Sequence, residues 1–239
     1  MIDFYAERTA PGLFNEPFNT VTNLAFIIAA WAVWRYARRR GALTGDICTL
    51  IGLVAAIGLG STAFHMFATR WALLLDVVPI MLFLLAYLWV YTRTVMRLPV
   101  AATLGLFVLY FASTYAAFRV PVVFRRSVGY APVLLFLSGL GIYHCLKIRH
   151  GRWLLLAAAG VFTLSLGFRS YDHAAAAYVP MGSHCMWHIL NGAVLYLTLR
   201  ALVAARHPEQ AGTVDAVDQA DGVDNAPTTP DSRLLAPDF

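Results

Sequence analysis

Residues 71–95 read WALLLDVVPIMLFLLAYLWVYTRTV, and this run decides the fold class. At about 1.5 Å rise per residue, roughly 17 to 25 apolar residues cross a hydrocarbon core. The run has that length and carries one acid, Asp76, and one base, Arg93. Similar runs recur on both sides of it from Val21 to Ala204, and the whole chain is 59% hydrophobic and 13% charged. An ordinary soluble domain has about 25% charged residues, so the composition points away from a water-soluble fold. The pattern predicts helices over Val21 to Arg38, Asp46 to Met66, Trp71 to Val95, Pro99 to Ala117, Tyr130 to Ile148, Trp153 to Ser170 and Ser183 to Ala205. In lipid each backbone polar group must be satisfied within its segment or in a closed barrel, and the alternation of barrel strands is not visible. The expected fold class is an all-α membrane protein, one bundle of seven transmembrane helices spanning residues 20–206.

Two flanks frame this bundle. Residues 1–19 contain Asp3, Glu7 and Glu16 in place of the basic region and short apolar core of a secretory signal, so the mature chain is expected to begin at Met1. Residues 207–239 are polar, with Asp215, Asp218, Asp221 and Asp224, and are expected to be a disordered acidic tail. The formal charge of +5 comes from bases placed between apolar runs, such as Arg35, Arg38, Arg39, Arg40, Lys147, Arg149 and Arg152. That distribution writes membrane topology, with the N-terminus outside and the C-terminus inside, although Arg119, Arg125 and Arg126 oppose it. It does not describe a nucleic-acid surface. Cys48, Cys145 and Cys185 have no paired or C-x-x-C spacing and read as small buried hydrophobes.

The residues that can carry chemistry lie near helix ends. Ser61 and His65 are four apart and share one helical face. Asp76 sits early in the next helix, and His184 and His188 are one turn apart at the start of the last, where both nitrogens can reach one ion. Helix direction alternates across a membrane, so the end of the second helix and the starts of the third and seventh all fall on the same side. Histidine and carboxylate inside membrane segments are functional candidates by default. Three imidazoles with an open fourth position are the arrangement of catalytic zinc, whereas structural zinc is closed by four protein ligands. Asp76 is then the candidate general base and acid. Ser61 serves either a developing oxyanion or helix packing. His144 is expected to bond between helices, His173 to belong to a loop, and Asp172 to line the pocket entrance.

In this order, Gly60-Ser61-Thr62-Ala63-Phe64-His65, then Asp76, then Gly182-Ser183-His184-Cys185-Met186-Trp187-His188, the chain resembles the alkaline ceramidase family. That family belongs to a wider set of seven-helix membrane hydrolases and receptors, including the adiponectin and progestin receptors. The opening Asp3-Phe4-Tyr5-Ala6-Glu7-Arg8 and the run Glu16-Pro17-Phe18-Asn19-Thr20-Val21-Thr22-Asn23 support the resemblance. It implies a zinc-dependent amidase, with His65, His184 and His188 as ligands, that splits a ceramide-like N-acyl lipid into fatty acid and free amine. It also implies a calcium site at Asp3, Glu7 and Glu16, although this first segment is shorter than the family pattern, leaving Asn19 and Asn23 to hold the start of the first helix. The alternative is a lipid-responsive receptor with a structural zinc site; both Ser61 and Asp76 favour the enzyme. Short loops without sorting motifs suit the plasma membrane of a prokaryote.

Overall fold

The structure, a computed structural model, describes residues 2–10, 12–119 and 125–206; the expected acidic tail lies outside the described residues. Among these residues there are ten helices and no strand: α1 (Pro17–Thr22), α2 (Leu24–Arg39), α3 (Gly45–Phe67), α4 (Arg70–Thr94), α5 (Val100–Phe118), α6 (Arg125–Val128), α7 (Ala131–Lys147), α8 (Leu154–Ser170), α9 (Asp172–Ala175) and α10 (His184–Arg206). Five stretches are long and apolar enough to cross a membrane: Pro17–Arg39, which joins α1 and α2, then α3, α4, α5 and α10. The expected fifth and sixth spans are the shorter apolar helices α7 and α8, 17 residues each.

Local chemistry sets the ends. Pro17 occupies the first turn of α1, where its missing N–H is no loss. The helical stretch therefore begins four residues before the expected Val21. Asn19 and Asn23 do hold this region, but through each other: Asn23 Nδ2 donates to the Asn19 carbonyl at 2.9 Å and Asn19 Nδ2 to Glu16 Oε2 at 3.1 Å. Helix α3 ends where Ala68 turns left-handed at φ 48°, its N–H closing on the Phe64 carbonyl.

The seven longer helices form a ring in sequence order, α2, α3, α4, α5, α7, α8 and α10, with α10 closing back on α2. Val33, Leu50, Val54, Leu155, Leu199 and Leu202 fill its interior, while Leu74, Val78, Val108, Leu135 and Ile142 face outward. An apolar exterior removes the hydrophobic drive between helices, leaving close packing and polar contacts to hold the ring. At one end Tyr91 and His144 share a hydrogen bond of 2.7 Å between α4 and α7, as expected for His144, and Arg206 of α10 bonds Asp46 of α3 at 2.6 Å.

At the other end α3 and α4 approach backbone to backbone. A Cβ at Gly60 would overlap the Leu75 carbonyl oxygen, so only glycine fits there. Pro79, inside α4, has no N–H for that same carbonyl, the i−4 partner it would otherwise bond. The glycine and the proline thus work together, placing Ser61 and Asp76 side by side.

Candidate metal centre and active site

His65 lies in the last turn of α3, while His184 opens α10 and His188 follows one turn later. All three are 1% exposed, and one ligand nitrogen from each lies within 4.8 Å of the others. The helix ends that alternation of direction placed on one side do meet.

Their hydrogen bonds fix which nitrogens face inward. His65 Nδ1 lies 2.5 Å from Glu16 Oε2, and an ionised carboxylate only accepts, so Nδ1 carries the proton and Nε2 the lone pair. The Thr22 hydroxyl donates its single proton to the Phe18 carbonyl at 2.7 Å, so it accepts from His188 Nδ1 at 2.9 Å. His188 Nε2 is then also unprotonated. These two Nε2 atoms face each other at 3.1 Å, lone pair to lone pair, which is repulsive unless a cation sits between them. Tetrahedral zinc with Zn–N of about 2.0–2.1 Å sets ligand nitrogens about 3.3 Å apart. His184 Nδ1 is buried without a hydrogen-bond partner. The residues fit a metal ion, and Glu16 and Thr22 orient its ligands from behind.

The segment before α1 straps over this pocket. Ile2 N–H bonds the Ala68 carbonyl at 2.8 Å, and the Tyr5 ring stacks on His184 at 3.6 Å and 13°. Burial pushes the Tyr5 phenol up to about 12, against the nearby Arg169 charge. Both oxygens of Glu7 accept backbone N–H groups of the first turn of α1, Phe18 at 2.7 Å and Asn19 at 2.8 Å. Burial raises its carboxyl above the usual range, more than these bonds lower it. Burial pushes Glu16 the same way, but hydrogen bonds from His65, Arg8 and Asn19 hold it below the usual range.

Asp172 is the residue whose role the sequence did not show. Expected at the pocket entrance, it is 2% exposed and accepts three backbone N–H groups: Ala6 at 2.9 Å, Ser183 at 2.8 Å and His184 at 2.9 Å. It ties the strap to the first turn of α10. Gly182 has φ +68°, and a Cβ there would strike the Asp172 carboxylate. His173, expected in a loop, falls in the short α9 and contacts the Phe4 carbonyl at 3.1 Å.

On the far side of the histidines Ser61, 4% exposed, hydrogen-bonds the Asp76 carboxylate, which also feels the charge of Arg169. The Arg169 guanidinium is caged by Trp187, Tyr130 and Tyr5, 4.9, 5.2 and 5.5 Å from their ring centroids. An apolar cavity lined by Phe26, Ile57, Phe83, Tyr110, Phe162 and Trp187 adjoins the site. Two of its walls are also site neighbours, Phe26 lying 6.3 Å from His188 and Trp187 6.4 Å from His184.

Of the acids expected to bind calcium, Asp3 is exposed, while Glu7 and Glu16 have both oxygens engaged by protein donors. Among the described residues the three histidines are the one group of His, Cys, Asp and Glu placed to hold a metal.

Fold and site together define an all-helical protein of membrane-spanning composition with a buried cluster of three histidines, at its helix ends, that could hold a metal ion. The Ceramidase family model matches residues 12–220, and the chain belongs to the ceramidase family. The resemblance carried by the ordered motifs is thereby borne out. No curated protein matches the chain. The family is one of lipid amide hydrolases acting at membranes.

Proposed function

We propose that the protein is a zinc-dependent intramembrane amidase that hydrolyses a ceramide-like long-chain N-acyl lipid to a fatty acid and a free amine. The observation that carries this reading is the convergence of His65 Nε2 and His188 Nε2, 3.1 Å apart, beside His184, with the Asp76–Ser61 pair next to them. Zinc held by His65, His184 and His188 would acidify a water to a pKa of about 7 and polarise the amide carbonyl. Asp76 takes a proton from the attacking water and returns it to the leaving amine. Ser61 bonds the Asp76 carboxylate in the resting site, which directs the lone pairs of that carboxylate. Once Asp76 is protonated, the Ser61 hydroxyl is released to donate to the developing oxyanion. The acyl chain lies in the apolar cavity between α2, α4, α7 and α10, with Trp187 between cavity and site. The two 17-residue helices complete seven spans, with the N-terminus outside.

A receptor with a structural zinc has no use for a carboxylate and hydroxyl paired at the metal pocket, so the enzyme is favoured. Its test is fatty-acid release from a panel of N-acyl lipids in detergent, by wild type beside Asp76→Ala and His188→Ala, with metal analysis of each. Release that vanishes in both variants, with zinc retained in Asp76→Ala, supports the amidase. No release from any lipid by zinc-loaded wild type refutes it.

A further inference from the structure

We propose that Arg8 is a built-in cation that locks the N-terminal strap onto the histidine site at the place where calcium was expected, so that this protein holds its site without calcium. Arg8 is 4% exposed, and its guanidinium reaches three oxygens, two from its own segment before α1 and one from the last turn of α3. Nε donates to Glu16 Oε1 at 2.5 Å, Nη1 to the Gly12 carbonyl at 3.2 Å and Nη2 to the His65 carbonyl at 2.7 Å. A carboxylate and two backbone carbonyls converging on one point are the ligand chemistry of a hard divalent cation. Here the centre of that oxygen set is filled by a planar cation that is protonated at every physiological pH.

The acids themselves agree. Calcium takes about six to eight oxygens at about 2.3–2.6 Å. Glu7 has committed both oxygens to capping α1, Glu16 divides its own between Arg8 and His65, and Asp3 is exposed. A calcium ion at Glu16 would lie against the buried guanidinium, and two unscreened cations in contact repel strongly. The family match begins at residue 12, beyond Asp3, Glu7 and Arg8, so the segment that carries the arginine stands outside the matched part.

Arg8 acts through its partner. Glu16 meets Arg8 with one oxygen and His65 Nδ1 with the other, so the guanidinium neutralises and aims the carboxylate that orients a metal-ligating imidazole. Arg8 is a positioning residue. The calcium readout below does not depend on the amidase reading, and the zinc readout depends only on the histidine cluster binding metal.

The experiment uses the full chain in detergent, passed over a chelating resin and shown by metal analysis to hold zinc and no calcium. Thermal unfolding and zinc content are followed while calcium chloride is added to the millimolar range, with magnesium chloride as the ionic control. Wild type is expected to show no calcium-dependent shift. Arg8→Met should unfold at lower temperature and lose zinc more readily, with neither recovered by calcium. Arg8→Glu places a second carboxylate in the oxygen set. It should be destabilised without calcium and regain about 5–10 °C with it, as binding well above Kd stabilises the folded state. A calcium-dependent shift in wild type, or an Arg8→Met variant matching wild type in both unfolding and zinc retention, overturns the proposal. If Arg8→Glu does not fold, the wild-type titration and Arg8→Met decide it.

Discussion

Replacing Asp172 by alanine removes the acceptor of three backbone N–H groups at once, and the expected loss can be worked from their surroundings. A hydrogen bond to a charged group is worth about 1.5–3 kcal/mol, and a buried donor left without a partner costs about 1–3 kcal/mol. The His184 N–H is buried, so it bears the larger penalty, about 2 kcal/mol; the Ala6 and Ser183 donors are partly accessible and can recover water, leaving about 1 kcal/mol each. The sum is about 4 kcal/mol. For a chain of this size each kcal/mol moves the unfolding midpoint by about 2–4 °C, so Asp172→Ala should unfold about 8–16 °C below wild type. Asp172→Asn keeps an oxygen for Ser183 and His184 but sets its amide against the Ala6 N–H, and should lose roughly a third as much. Tryptophan fluorescence during heating in detergent measures the shift, and metal analysis should show zinc content falling in the same order, because the first turn of α10 carries His184. An Asp172→Ala midpoint within about 2 °C of wild type would refute the cap.

Gly60→Ala should force α3 and α4 apart where Ser61 meets Asp76, lowering stability by about 1–3 kcal/mol and reducing hydrolysis more than zinc content; unchanged kcat would count against the close approach. Thr22→Val removes the acceptor for His188 Nδ1 while keeping the side-chain shape, and zinc affinity, measured by competition with a chelator, should drop about 10–100-fold. Stripping the metal should lower the unfolding midpoint of wild type, and zinc should restore it; a midpoint indifferent to zinc refutes the centre. Glu16 is held below the usual glutamate range by His65, Arg8 and Asn19 against its burial, so its contribution is present above that range and is lost as pH falls through its depressed folded-state value. The fall in unfolding temperature at acid pH should therefore flatten in Glu16→Gln.

Helix direction made much of this site legible. Alternating spans put His65, Asp76, His184 and His188 on one side, and the i, i+4 spacing of His184 and His188 let both reach one ion. Helix ends were readable to within a few residues because apolar runs stop where charges and prolines begin. The parts that stayed hidden are contacts between distant positions. Ala6 meets Asp172 and Thr22 meets His188 across 166 residues each, and no local pattern encodes such pairs. Asp172 looked like an entrance residue because it falls on the same side as the histidines; that its carboxylate turns inward to backbone N–H groups depends on where Gly182 bends the chain. The resemblance implied an ion at Asp3, Glu7 and Glu16 because a motif shows which acids are present without showing which donors surround them. Arg8 stood in the same quoted run, and only the fold shows that its guanidinium is the cation Glu16 meets.

The closing contact of α10 against α2 bears on how the molecule is made. Synthesis delivers the strap and α1 first and His65 early, while His184 and His188 emerge on the final helix. Until then one imidazole of three is available, already within reach of Glu16, while Tyr5 and Thr22 lack the His184 and His188 rings they meet. If these histidines hold a metal, its capture is a late event that waits on the last helix taking its place against α2 and α3.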